Sequence, residues 1–385
     1  MDLTFSAEEE AFRGAVRAWL TAHVPPVAEH ATLAEEVRFL VDWQRRMAAG
    51  GWVGVHWPPE YGGRGATTTE NYVLQEELAR AQAPEVIGRI GVNLVGPTLI
   101  HYGSAAQKAR HLPRIRAADE LWCQLFSEPD AGSDLAALRC RAVRDGDHFV
   151  VSGQKVWTSY AQFADWGILL ARTDPETRGG RGISFLIVDM HAPGVTVRPL
   201  RQMTGSDEFN EVFLEDVRVP AANLVGALHA GWTIAQTTLS HERGTSPRQL
   251  VVHRILLFEL LALARRTGAD RDPIIRQQLA QACIEVEMTK LHNWRTLTQL
   301  RRTGTPGPES SLVKLFWSEM SQRLHDVAMQ ILGVHGQHWP GEPRAVAGGR
   351  WVRSYMYYRA ASIFAGTNEV QRNIIAQRVL GLPRA

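Results

Sequence analysis

Several short stretches of this chain gather hydroxyls, carboxylates, aromatic rings and glycines closely enough to do chemistry. Gln124-Leu125-Phe126-Ser127-Glu128-Pro129-Asp130-Ala131-Gly132-Ser133-Asp134 offers Ser127 and Ser133 in what reads as a polar turn. Gly153-Gln154-Lys155-Val156-Trp157-Thr158-Ser159-Tyr160-Ala161 sets Trp157 beside Thr158 and Ser159, although the tryptophan also suits the core face of a strand. Ser240-His241-Glu242-Arg243-Gly244 holds a carboxylate near a helix N-terminus, where the dipole favours one. Gln330-Ile331-Leu332-Gly333-Val334-His335-Gly336 supplies glycines that let a backbone approach a phosphate, with His335 read as a surface or packed residue. Ile363-Phe364-Ala365-Gly366-Thr367-Asn368-Glu369-Val370-Gln371-Arg372 ends the series. Held donors stabilise developing negative charge, and a positioned carboxylate takes up a proton.

Helices and strands alternate in blocks that must position these stretches. Ser6 and Glu9 fit a capping box, and Phe12, Val16 and Leu20 recur every four residues behind it, which predicts an amphipathic first helix. Val37, Leu40, Val41 and Met47 predict a second helix stopped by Gly50-Gly51, and Tyr72, Leu74 and Leu78 a third. The middle changes to β-prone runs: 139–144 and 148–156 around the turn Asp145-Gly146-Asp147, then 167–171, 183–188, 195–197 and 212–219, closed by Pro220. From Gly231 the pattern is helical again. Leu279, Ile284, Met288, Leu291 and Leu300 line one long segment, and Leu312, Leu315, Met320, Leu324, Val327 and Ile331 the next, with residues 304–309 as a loop between them. The blocks divide the chain into a helical region 1–120, a β region 121–228 and a helical region 229–385.

At 385 residues and 45% hydrophobic composition the chain can bury large cores. Basic and acidic residues are interspersed and nearly balanced, at a net charge of +2, which marks no nucleic-acid or anionic-membrane footprint and favours a small-molecule partner. Three widely spaced cysteines, Cys123, Cys140 and Cys283, predict buried inert thiols rather than disulfides or a metal site. The acidic N-terminus lacks the apolar core of a signal peptide and no apolar run has the length of a membrane span, so a cytoplasmic protein is expected. No Gly-x-Gly-x-x-Gly opens a βαβ unit, which argues against a nicotinamide-dinucleotide site.

Taken together, these motifs resemble those of the FAD-dependent acyl-CoA dehydrogenase family, and the resemblance covers essentially the whole chain. The segment around Ser127 is similar to the family's Thr-Glu-Pro-x-Ala-Gly-Ser-Asp, the one around Trp157 to Gly-x-Lys-x-Trp-Ile-Thr-Asn, and the one at Gln330 to Gln-x-x-Gly-Gly-x-Gly, with Val334 in place of the second glycine. Val212-Phe213-Leu214-Glu215-Asp216-Val217-Arg218-Val219-Pro220 is similar to the strand that ends the family's β domain. The family fold is an all-α N-terminal domain, a middle β-barrel or sandwich domain and a C-terminal four-helix bundle. By resemblance, Leu125, Phe126, Ser127, Ser133, Trp157, Thr158 and Ser159 lie along the FAD, Gln330, Ile331 and Gly333 approach the diphosphate of a neighbouring subunit's FAD, and Thr367 and Glu369 are near the cofactor. Arg266 takes the place of an arginine that reaches the pyrophosphate, or is simply a helix-end arginine, since the phenylalanine of the family's Arg-x-x-Phe-Gly is missing after it.

The commonest family sequence has its catalytic glutamate before Gly-Thr, where this chain has Ala365. Isovaleryl-CoA and long-chain acyl-CoA dehydrogenases instead place the glutamate before an arginine at the start of a bundle helix, and Glu242-Arg243 matches that place. The resemblance therefore implies Glu242 as the base that removes the α-proton while the β-hydrogen leaves as hydride to flavin N5, with Glu369 ranked second. Ser133, Arg243, Ala365 and Gly366 fall on the substrate side. It further implies a trans-2-enoyl-CoA product, electron-transfer flavoprotein as acceptor and a tetramer. Acyl groups on a carrier protein, a non-catalytic subunit of a heterotetramer and a flavin monooxygenase on the same fold stay open as alternatives.

Overall fold

The computed structural model describes residues 4–26, 30–240, 245–304 and 307–383. In chain order the helices are α1 (Ala7–His23), α2 (Leu33–Ala49), α3 (Thr68–Arg80), α4 (Gly96–Tyr102), α5 (Ala105–Ala117), α6 (Gly231–Ser240), α7 (Pro247–Thr267), α8 (Pro273–Thr303), α9 (Ser310–Leu332), α10 (Arg350–Tyr358) and α11 (Asn368–Ile374). The strands are β1 (Trp122–Leu125), β2 (Arg141–Asp145), β3 (His148–Ser159), β4 (Trp166–Arg172), β5 (Ile183–Asp189), β6 (Val195–Leu200), β7 (Phe209–Pro220) and β8 (Leu224–Val225). The α–β–α order follows the expected one. Two strands escaped the sequence, β1 and the two-residue β8. No helix among the described residues is long and apolar enough to cross a membrane.

Two compact units result, one of Met1–Val24, Thr67–Ala83 and Arg243–Ala385, the other of Pro25–Ala66 and Pro84–Glu242. In the first, all helical, α1 begins on the expected capping box: Ser6 Oγ accepts from Glu9 N–H at 3.2 Å and Glu9 returns the bond to Ser6 N–H at 2.8 Å. Val16 and Leu20 are buried, and so is Arg13, whose guanidinium meets Glu76 at 2.6 Å and Glu77 at 2.8 Å on α3. A buried arginine between two carboxylates has its charge and its donors satisfied together. Helices α7 to α10 share one core, centred on Leu260, Met320, Ala328 and Leu324. Each fully buried leucine there contributes about 2 kcal/mol by removal from water.

The face expected to be buried on α8 is corrected by the structure. Leu279 and Leu300 are buried, but Ile284, Met288 and Leu291 are 54%, 40% and 46% exposed. The inward positions are taken partly by polar residues that find local partners. Glu285 pairs with Arg323 at 3.1 Å, Thr289 donates to Glu285 C=O at 3.0 Å and Asn293 to Thr289 C=O at 2.9 Å. Apolar residues therefore lie on both sides of this helix, with Val286, Trp294 and Leu297 buried and Ile284, Met288 and Leu291 exposed.

The second unit is built on a sheet in the order β6-β7-β3-β2-β4-β5-β8, with β1 parallel to β4. Asp145 pairs with His148, so the hairpin turns on Gly146-Asp147, where Gly146 has φ 59°. Phe149, Val151, Leu169, Leu186 and Val212 fill its core together with Cys123 and Cys140. Burial pushes the Cys123 thiol up, and that of Cys140 to about 11, which fits inert thiols. Cys283, in the other unit, is only half-buried. Helix α6 packs on β5, and Thr98 on α4 shares a hydroxyl bond of 2.7 Å with Thr238 on α6.

Candidate active site

In the β unit the Ser127 and Trp157 stretches come together around one buried ion pair. Lys155, fully buried on β3, donates from Nζ to Glu128 Oε1 at 2.8 Å and to Phe126 C=O at 3.0 Å. Glu128 also accepts from the N–H groups of Arg139 (2.7 Å) and Cys140 (2.9 Å), so both its oxygens are used. Val156 N–H donates to Ser127 C=O at 2.9 Å, closing the contact between the two stretches. Glu128 and Lys155 lie within the Ser127 and Trp157 stretches, where sequence reasoning gave them no role. The signal was present: a lysine in an apolar strand needs an acid partner in the core.

Just beyond the pair, β3 carries a bulge. Lys155 pairs with Val212 and Thr158 with Asn210, so three steps on β3 face two on β7. The extra residue is absorbed at Trp157, whose φ is 60°. Its ring is 61% exposed, against the edge of Phe209 at 6.2 Å between centroids. Trp157 is thus not a core tryptophan. Asn210 Nδ2 donates to Thr158 C=O at 3.0 Å and fixes the strand beyond the bulge. Ser127 and Ser159 are half-buried, Leu125 and Phe126 are fully buried, and Ser133 is exposed on its turn. The Thr158 hydroxyl is buried with no partner.

In the helical unit the C-terminal stretch forms a turn leading into α11. Ala365 has φ 53° and Gly366 φ 79°, both left-handed. Thr367 caps the helix, accepting from Val370 N–H at 3.2 Å, and Glu369 is exposed. Its own backbone N–H and the Thr367 hydroxyl hold the Glu369 carboxyl below the usual range. Asn368 is buried and accepts from Lys314 Nζ at 2.8 Å and Ser318 Oγ at 3.0 Å on α9. Burial lowers the Lys314 ammonium to about 8. Gly333, at φ 53°, ends α9, where Gln330 is exposed and Ile331 packs into the helical core. Arg266 is exposed on the last turn of α7, and His335 is exposed as well. Glu242 and Arg243 lie outside the described residues.

Three family models match along the chain: acyl-CoA dehydrogenase N-terminal domain over residues 6–119, middle domain over 123–217 and C-terminal domain over 229–380. The chain belongs to the acyl-CoA dehydrogenase family. Acyl-CoA dehydrogenase IpdE1 of Mycobacterium tuberculosis is 42% identical, over 97% of this chain and 98% of the relative. Acyl-CoA dehydrogenase FadE26 of the same organism is 35% identical over the full length of both. Among solved structures, the Tcur3481-Tcur3483 steroid ACAD superposes with a TM-score of 0.87 at 33% identity, and the ChsE4-ChsE5 complex from Mycobacterium tuberculosis with 0.86 at 34%, each covering all of both chains. Acyl-CoA dehydrogenases are FAD-dependent oxidoreductases. The exposed Trp157 beside half-buried serines and an unpaired threonine hydroxyl fits a flat ring with hydrogen-bonding edges, as FAD would present.

Proposed function

We propose that this acyl-CoA dehydrogenase converts an acyl-CoA to its trans-2-enoyl thioester with Glu242 as the base. The observation that carries this reading is the backbone at position 365. Ala365 keeps an N–H in a turn leading into α11 but brings no carboxylate, so the proton must go elsewhere. An N–H held against the thioester oxygen stabilises the charge that develops there as the α-proton leaves. Family resemblance assigns the proton to Glu242 and places Arg243 beside it. It assigns the cofactor to Leu125, Phe126, Ser127, Ser133, Trp157, Thr158 and Ser159 in the β unit, and to Arg266, Gln330, Ile331, Gly333, Thr367 and Glu369 in the helical unit. Bound FAD supplies the acceptor for the β-hydrogen and its electron pair.

Anaerobic bleaching of the flavin with a panel of acyl-CoAs, on the native protein and on Glu242→Gln, tests the reading. The native protein should bleach, and the variant should be slower by on the order of a hundredfold. Equal rates would remove Glu242 from the role of base. Mass spectrometry with CoA-bound and carrier-protein-bound acyl groups decides the carrier.

A ring-bearing acyl group and a second, different chain in the assembly are the readings favoured by the neighbours, two of which are named as pairs of chains and one of those as a steroid ACAD. Purification without a partner tests the latter. A chain that holds no flavin alone, but gains flavin and activity with a second chain, is a subunit of a heteromer.

A further inference from the structure

Two consecutive left-handed residues, Ala365 and Gly366, are unusual in that the first carries a Cβ. Glycine adopts positive φ freely, whereas alanine there is strained unless its surroundings hold it. Gln371 supplies the hold. Its Nε2 donates to Ala365 C=O at 3.2 Å and to Gly366 C=O at 3.3 Å. The side chain is itself buried, Gln371 being 3% exposed, and its backbone N–H donates to Thr367 C=O at 2.9 Å in the first turn of α11. A Cβ on Gly366 would lie 2.8 Å from Gln371 Nε2, so the amide and the turn are fitted closely.

We propose that Gln371 is a positioning residue that locks the left-handed turn at Ala365–Gly366 and so aims the Ala365 N–H at the thioester oxygen. This rests on the reading of position 365 as the oxygen's binding point. In a trans peptide the C=O and N–H point in opposite directions. Turning the Ala365 carbonyl onto Gln371 sets the plane that follows Ala365, and the φ and ψ of Ala365, held in the left-handed region, then fix the direction of its own N–H. Gln371 touches neither substrate nor cofactor in this scheme. Its donors act through the backbone, which is why a side chain of equal size without donors is the informative replacement.

The test compares native protein, Gln371→Met and Gln371→Met/Ala365→Gly as holoenzymes. Each is titrated by calorimetry with a CoA thioester that has no α-hydrogen and with the matching thioether, which lacks the carbonyl oxygen. Native protein should prefer the thioester. Gln371→Met should lose most of that preference, on the order of tenfold, with thioether affinity and FAD content unchanged, and bleaching by substrate should slow through kcat rather than KM. Adding Ala365→Gly should restore part of the preference, because glycine adopts the left-handed turn without strain when the amide is gone. A merely structural role would lower affinity for both ligands alike. A preference in Gln371→Met equal to native overturns the inference alone. The absence of any preference in the native protein overturns the reading of position 365 and the inference with it.

Discussion

Glu128 and Lys155, separated by 27 residues in the chain, meet at 2.8 Å inside the β unit and join the two stretches that the cofactor reading depends on. Each end of the pair has further partners, Phe126 C=O for the ammonium and two backbone N–H groups for the carboxylate. Removing one member leaves the other charged and buried, which costs about 3–5 kcal/mol, whereas replacing a satisfied pair by apolar groups is often neutral. Glu128→Gln is therefore expected to lower the thermal unfolding midpoint strongly and to reduce bound FAD. A double replacement, Glu128→Leu with Lys155→Met, should recover part of the midpoint. Differential scanning calorimetry on the three proteins checks both.

Trp157 gives the opposite expectation. Because its ring is 61% exposed, Trp157→Ala should change unfolding free energy by no more than about 0.5 kcal/mol, as for other surface sites. If the ring lies on FAD, the same variant should retain the cofactor poorly and show altered flavin fluorescence. Wild-type retention in Trp157→Ala would return the residue to a surface role.

What the sequence revealed divides along physical lines. Capping and turn chemistry are local, so Ser6 with Glu9 and the Gly146-Asp147 hairpin were legible. The inward face of α8 was legible only in part, because Glu285, Thr289 and Asn293 interrupt its apolar residues and their polarity is satisfied by neighbours that no local pattern reveals. The bulge at Trp157 depends on the register of β3 against β7, a pairing across more than fifty residues. Gln371 lies within the C-terminal stretch, but its effect was not legible there, since it depends on the left-handed turn that its amide holds.

Acid should loosen the helical unit through two histidines. His253 is fully buried, with Nδ1 against Gln249 C=O at 2.7 Å and Nε2 against Ser321 Oγ at 2.5 Å. His325 is buried beside Tyr358 and Trp351, with Nδ1 against Ser321 C=O at 2.7 Å. Burial pulls both imidazoles down from 6.5 to about 4. Unfolded chain therefore takes up protons below pH 6.5 that the folded unit refuses until about pH 4. Stability from these groups is complete above about pH 6.5 and is lost as pH falls through that window, on the order of 3 kcal/mol per histidine. Urea midpoints between pH 7.5 and 4.5 should fall in the native protein and fall less in His253→Gln. Parallel curves would locate the acid sensitivity elsewhere.

The exposed α8 face leads to an expectation about assembly. Ile284, Met288 and Leu291 recur at i, i+4 and i+7 and so form one stripe on the helix surface. A stripe of exposed apolar side chains is a common mark of a protein–protein contact. Arginine at Ile284 and Leu291 places two charges in such a contact and none in the core of the helical unit. The double variant Ile284→Arg/Leu291→Arg should keep its helical content and, within about 0.5 kcal/mol, the stability of the isolated chain. Its sedimentation coefficient, measured alone and with any co-purifying chain, should fall to that of a smaller species. An unchanged coefficient would place the contact on another surface.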